Sequence, residues 1–394
     1  VTGLSLLSIG GVTTTVDLAP SPPWTKPPQP LSSRVAYAAA HVVPVTWAAN
    51  TPGSPAQIDW DATLQFRRAT YSWGLGVADA MDTAQRNMGL DTAATRELIA
   101  RSAEVAREED GALVVGVNTD DLESTTASLS EIVDAYTGQL HYAEDHGAGA
   151  VFMASRHLAR TAQNADDYRS VYRGVLRSAS KPVVLHWLGE AFDPELAGYF
   201  GASDWRTAAA TLLSIIDENE DRVSGVKMSL LDAGAEMWVR ERLPRTVRMF
   251  TGDDFNYVEL IASQDAAGSG ERPRSHSDAL LGAFAAFAPA ASAGIQALDA
   301  GDEDAFRRIL EPTVALSRQI FSAPTYFYKT GVAFLAWLNG HQPSFQMVGG
   351  LHAARSLPHL SKIVELANEA NVLECPELAA SRWHAMLRLN GVES

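Results

Sequence analysis

Eight short apolar runs, separated by longer helix-like stretches, constrain this chain more than any other feature. They are 35–43 (VAYAAAHVV), 73–81 (WGLGVADAM), 112–117 (ALVVGV), 150–154 (AVFMA), 182–187 (PVVLHW), 223–229 (VSGVKMS), 247–251 (VRMFT) and 279–284 (ALLGAF). Near-continuous apolarity, rather than alternation, marks parallel strands covered on both faces. Helical patterns fill the gaps at 91–109, 124–146, 165–180, 205–218 and 257–262; the first opens on an Asp/Thr cap signal and spaces Leu98, Ile99, Ala103 and Ala106 as on one helical face. Strand–helix alternation repeated this often predicts an α/β chain closed into a (β/α)8 TIM barrel. An open doubly wound sheet is the alternative, but it usually has fewer strands. Helices are expected over 289–311, 312–338 and 357–372, with a Gly–Pro stop in LNGHQPS. The N-terminal segment ends in SPPWTKPPQP, which must run extended over a surface. The expected organisation is a Pro-rich N-terminal arm (1–33), a barrel (34–300) and a C-terminal helical extension (301–394).

Charge narrows the function. With 31 basic and 47 acidic residues the net charge is −16, so the surface repels phosphate backbones and anionic lipid; neither nucleic acid nor membrane is an expected partner. No apolar run reaches the roughly 18 residues of a membrane span, and the start lacks a basic signal-peptide region. A single cysteine, Cys375, rules out an intramolecular disulfide and fits a reducing, cytoplasmic setting. Nucleotide-binding glycine loops, a GxSxG elbow and HxH, HExxH or CxxC metal spacings do not occur.

In a barrel of this kind chemistry gathers where the strands end. Those ends carry His41, Asp82 with Thr83, Asn118, Ser155 with Arg156, His186, Lys227, and Asp253 with Asp254. Lysine is scarce: the chain has only Lys26, Lys181, Lys227, Lys329 and Lys362. Lys227 lies inside an apolar strand, where an ammonium is costly and the usual response is a depressed pKa. A neutral amine there can attack a carbonyl and form an imine, an electron sink for carbon–carbon chemistry. The competing reading pairs Lys227 with Asp253 or Asp254 merely to close the barrel mouth. His186 is either a proton shuttle or a satisfied core histidine. Of the two aspartates, at least one is expected to cap the following helix.

Taken in order, several segments resemble the dihydrodipicolinate synthase / N-acetylneuraminate lyase superfamily over about 35–372. AAAHVVP with QIDWDATLQF is similar to the family's first strand and first helix. GVADAMDTAQRNMGLDTAATREL falls where the family has its GTTGE loop, and KPVVLHW where it has "lPvilYN". GVKMS resembles the Schiff-base strand "GiKe", TGDD the "sGdD" turn, and YFYKTGVAFLAWLNG the tail helix. The resemblance implies a barrel with a helical tail, a pyruvate-type imine on Lys227 and usually a homotetramer. The chain also departs from the family. His186 takes the place of the catalytic tyrosine, Gly189 that of a proline, and Ala191 that of the carboxylate-binding arginine. DTAQR replaces GTTGE, Ser155-Arg156 replaces a pair of tyrosines, and an insertion lies around 199–221.

These readings converge on a divergent class I aldolase-type lyase or dehydratase acting on a 2-keto acid or sugar-derived carbonyl compound. No cofactor is expected, and the assembly is a homodimer or homotetramer. Lys227, His186 and Asp253 are the catalytic candidates; Thr83, Asp82, Arg156, His41 and Asp254 are the substrate-binding ones, with Arg156 placed to grip a carboxylate. Two rivals stand beside this. One is a metal-dependent lyase or isomerase with Asp82, His41, His186 and Asp253 converging as ligands. The other is a barrel that binds a small molecule without turnover.

Overall fold

A computed structural model describes residues 3–262 and 275–392. Eight parallel strands close into a barrel: β3 (Ala36–Ala39), β4 (Gly76–Asp79), β5 (Leu113–Val117), β6 (Gly149–Phe152), β7 (Val183–Leu188), β8 (Val223–Ser229), β9 (Arg248–Thr251) and β10 (Asp278–Leu281). Neighbours in sequence are neighbours in the barrel, and β10 closes it against β3. Each of the apolar runs overlaps one strand, because burial on both faces leaves few polar positions inside it. Ala39, Ala78, Val114, Val151, Val184, Phe250 and Leu280 fill the inside. Their sequence neighbours, such as Val77, Val115, Leu185, Val226 and Met249, pack outward against helices. The interior is crowded: a Cβ on Gly225 would lie 2.6 Å from the Phe250 ring.

The outer helices start where a short polar side chain can take a free backbone N–H. Asp59 caps Trp60–Ser72, Asp91 caps Thr92–Glu108, Asp204 caps Trp205–Glu218, and Ser128 with Glu131 forms a reciprocal capping box on Leu129–Asp145.

At the two ends of the chain the structure corrects the sequence reading. Residues before the Pro-rich stretch form an antiparallel hairpin, β1 (Gly3–Leu7) with β2 (Thr13–Asp17). It sits on the C-terminal helices, with Trp383 donating to the Ser5 carbonyl at 2.7 Å and the Leu7 N–H donating to Ser361 at 2.7 Å. The tail helices run Glu303–Ile320, Tyr328–Leu338, Leu357–Glu369 and Pro376–Leu389, following the last barrel helix Ala288–Asp299. The expected break at Pro312 does not occur. Pro312 lies on an exposed face inside Glu303–Ile320, where the carbonyl it leaves unpaired can reach water. The breaks fall instead at Gly301, in left-handed conformation with φ +75° and followed by the cap Asp302, and over 321–327 before Tyr328.

Tyr328–Leu338 is buried on nearly every side and packs across the turn that follows β4. This brings its first residues to the barrel mouth. Among the described residues no helix is long and apolar enough to cross a membrane.

Candidate active site

On β8, Val226 and Met228 pack outward, so Lys227 between them points into the barrel. Gly252, just beyond β9, makes room for it: a Cβ there would lie 2.8 Å from Lys227 Cε and 2.2 Å from Ser229 Oγ. Lys227 is 8% exposed and has no hydrogen bond or ion pair among the described residues. Burial pushes its amine below the ordinary lysine pKa, with Asp82 and then Asp254 pulling the other way. Gly252→Ala is therefore expected to displace the amine. Imine trapping should slow at least about tenfold, while the far-ultraviolet dichroism stays that of the wild type.

The two adjacent aspartates have separate jobs. The Asp253 carboxylate accepts from Phe255 N at 2.9 Å, Asn256 N at 3.1 Å and Asn256 Nδ2 at 2.8 Å. It builds the turn after β9, and its oxygens are taken. Asp254 instead lies within the electrostatic field of Lys227. Its Oδ1 accepts from Ala283 N at 2.8 Å, and burial pushes its carboxyl up to about 7 despite the attraction of Lys227. Ser317 donates to the Asp254 carbonyl and fixes the backbone.

From the loop after β4, Asp82 is half-buried and also within the field of Lys227; burial raises its pKa, with Lys329 and then Lys227 opposing. Thr83 is buried and shares a 2.7 Å hydrogen bond with the hydroxyl of Tyr328. The Tyr328 ring stacks on Phe321 at 4.4 Å. Burial, and after it Asp82, holds this phenol well above the ordinary tyrosine pKa. The loop carries three non-glycine residues in left-handed conformation: Ala80 (φ 49°), Gln85 (φ 67°) and Asn87 (φ 61°). Such backbone persists only where surroundings enforce it. Here Asp79 accepts from Ala80 N at 2.8 Å, and Arg86 is clamped by Asp120, Gln139 and two carbonyls.

His186 pairs in register with Lys227 across β7 and β8 and is fully buried. Its Nε2 hydrogen-bonds with Ser229 Oγ at 3.0 Å; Nδ1 has no partner among the described residues. Burial, helped by the Lys227 charge, pushes it well below the ordinary histidine range, so the ring is neutral. It can accept a proton transiently or orient Ser229, but it is no resting acid.

Two candidates are placed elsewhere. His41 hydrogen-bonds with Gln342 at 2.7 Å, packs edge-on against Phe66 and is pushed down to about 4 by burial. It braces the C-terminal segment and is not brought to Lys227. Arg156 remains at the mouth, but its Nε donates to Asp193 at 2.7 Å and its Nη1 lies 3.6 Å from Glu195. Its guanidinium is largely spoken for. The four carboxylate and histidine ligands of the metal reading do not converge, and among the described residues no three His, Cys, Asp or Glu side chains could hold a metal ion together. Sequence reasoning assigned nothing to Tyr328, Lys329 or Ser229. The one signal for the first two was a lysine and a tyrosine in an otherwise apolar tail helix.

No curated protein matches the sequence. Solved structures do match in fold. Dihydrodipicolinate synthase from Aquifex aeolicus is 14% identical, with a TM-score of 0.62 over 86% of this chain and 98% of its own. The enzyme from Thermotoga maritima is 13% identical, with a TM-score of 0.62 over 87% and 100%. That from Bacillus clausii is 15% identical, with a TM-score of 0.60 over 85% and 97%. At these identities the likeness is one of fold: a TIM barrel with C-terminal helices. The profile of one protein family, described as a protein of unknown function (DUF993), spans residues 4–392, and the chain belongs to that family.

Proposed function

We propose that this chain is a class I aldolase-type lyase or hydro-lyase in which Lys227 forms an imine with a carbonyl substrate. The observation that carries the reading is a buried, inward-facing lysine with no hydrogen bond or ion pair among the described residues. The neutral amine attacks the carbonyl carbon to give a carbinolamine, and loss of water gives the iminium. In cleavage, the Cβ hydroxyl gives up its proton as the Cα–Cβ bond breaks, so Cβ leaves as a carbonyl product and the electrons drawn into the iminium leave an enamine that is protonated at Cα and hydrolysed. In dehydration, loss of the Cα proton gives the enamine, which expels the Cβ hydroxyl as water and leaves a conjugated iminium that is hydrolysed. Asp254 has the pKa suited to moving these protons near pH 7, and the Thr83–Tyr328 hydroxyl pair extends the path to the mouth. His186 holds Ser229 beside the amine.

The test is borohydride trapping with a panel of 2-keto acids and aldehydes, read by intact mass. A reduced adduct should form on the wild type and vanish in Lys227→Arg, with turnover untouched by EDTA. Turnover abolished by EDTA and indifferent to borohydride would overturn the proposal.

The pH dependence has a defined sign. Attack needs Lys227 neutral, so the rate of imine formation rises as pH passes upward through its lowered pKa. Asp254 titrates at about 7 in the folded chain, against an ordinary value of 3.8. Its raised pKa means the folded state holds a proton that the unfolded state has lost, so its contribution to stability falls between those two pH values. Asp254→Asn removes this penalty: its stability should exceed the wild type's at pH 8 but not at pH 4 in urea titrations, while turnover drops about 100-fold or more.

A further inference from the structure

Lys329 is a second buried amine that the imine chemistry does not use. It is 2% exposed, and among the described residues the one hydrogen-bond acceptor its Nζ meets is the thioether of Met88, at 3.2 Å, beside the Tyr328 ring at 5.1 Å. A thioether is a weak acceptor, so most of the ammonium's hydrogen-bonding capacity is unused. Asp82 and Asp193 attract it through the field, but neither forms an ion pair with it. The residue also occupies the first turn of Tyr328–Leu338, where the positive end of the helix opposes a cation. Burial, no ion pair and an unfavourable helix end all count against keeping a lysine here for stability.

Its surroundings place it at the barrel mouth. Asp82 and Met88 follow β4, Arg156 follows β6 and Asp193 follows β7, and all four lie around the amine. Asp82 lies within the field of both Lys227 and Lys329. Arg156 is matched by Asp193 and Glu195, so it lends positive field but few free donors. Lys329 is the group with donors to offer.

We propose that Lys329 binds an anionic group of the substrate, a carboxylate or a phosphate, remote from the carbonyl that Lys227 attacks. This names a substrate class for the site and rests on the imine reading only for the carbonyl end. Burial raises the pKa of Asp82, which weakens its opposition to an anion bound there. Burial brings the Lys329 amine down to about 8, so near pH 7 it is still mostly charged.

The experiment has two arms. In the first, the thermal midpoint of the wild type is measured with inorganic phosphate, with succinate and with sodium chloride at matched ionic strength. Phosphate or succinate should raise it beyond the chloride control, and the better of the two identifies the anion. The gain should vanish in Lys329→Met and Lys329→Gln, and the unliganded Lys329→Met should melt above the wild type, because an unpaired buried ammonium has gone. The second arm is borohydride trapping with 2-oxobutanoate against 2-oxoglutarate, and dihydroxyacetone against its phosphate. The doubly functional member of at least one pair should half-saturate at about tenfold lower concentration, and this preference should disappear in both Lys329 variants.

A wild type indifferent to both anions overturns the proposal. So does an anion effect that survives in the variants, or loss of fold in both of them, which would make the lysine structural. If anion stabilisation depends on Lys329 but no adduct forms with any probe, the imine reading falls and the anion site stands. If adducts form without any anion preference, the reverse holds.

Discussion

Replacing Lys227 with methionine is expected to abolish the trapped adduct, lower kcat/KM by roughly four to six orders of magnitude, and stabilise the fold. The loss of rate follows from removing the covalent route that the Lys227 amine supplies. The gain in stability follows from the surroundings. Lys227 is buried and has no ion pair among the described residues, and methionine fills similar volume without a polar group to desolvate. About 1–3 kcal/mol is the expected size, measured as a shift in the urea midpoint at constant slope. The sign separates two accounts of this lysine. If it existed to close the barrel mouth by pairing with Asp254, its removal would strand a buried carboxylate and destabilise the protein by about 3–5 kcal/mol. Stabilisation with loss of activity is the mark of a group retained for chemistry.

The second large effect is expected at Arg67. Its Nε and Nη2 grip both oxygens of Asp79 at 2.9 and 2.8 Å, and Nη1 donates to the carbonyls of His41 and Thr63 at 2.5 and 3.0 Å. Both side chains of the ion pair are fully buried. Ser102 also donates to Asp79, at 2.5 Å. This network ties the first outer helix to the ends of β3 and β4, immediately beneath the left-handed Ala80 that begins the active-site loop. Arg67→Met leaves Asp79 charged and under-satisfied in a dry place, and unfolding should become easier by about 3–5 kcal/mol. Asp79→Asn should also be costly, because it leaves the Arg67 guanidinium buried without its counter-charge and sets an amide NH2 against donors that now meet a carboxylate oxygen. A double variant, Arg67→Met with Asp79→Leu, should recover part of the loss. Strict additivity of the two single changes would show that the pair is not coupled and would refute the account.

Much of the site was legible in the sequence as a set of residues, and little of it as a geometry. Lys227 stood out because a lysine inside an apolar strand needs an explanation whatever the fold. His186 was legible for the same reason, but its neutral state and its hold on Ser229 depend on a neighbour on the next strand. Asp253 and Asp254 are adjacent and chemically identical; only the turn after β9 decides that one is consumed by local N–H groups while the other accepts from Ala283 N, within the field of the amine. His41 was read as a substrate-binding candidate, but the structure turns it away from Lys227. Its direction is set by Gln342, which lies 301 residues further along the chain.

Two misreadings at the chain ends have tertiary causes. The expected division between 311 and 312 failed because a proline on an exposed helix face can be tolerated, and whether a face is exposed is a tertiary fact. The hairpin at the start escaped notice because β1 is covered by the C-terminal helices while β2 is almost wholly exposed. Neither strand shows the alternation that reveals an amphipathic sheet.

The linear order of residues was enough to determine the barrel. Strands buried on both faces leave an unbroken apolar imprint that needs no knowledge of partners, and parallel strands joined by helices have few ways to close. It was also enough to single out the amine, since desolvation acts on a lysine wherever an apolar strand carries it. What the tertiary structure alone decided is the company that amine keeps. Tyr328 and Lys329 reach the mouth because a helix from the far end of the chain packs across it, with Thr83 and Tyr328 meeting across 245 residues. Contacts of that kind depend on where helices dock, and docking is a property of complementary surfaces that no local pattern encodes.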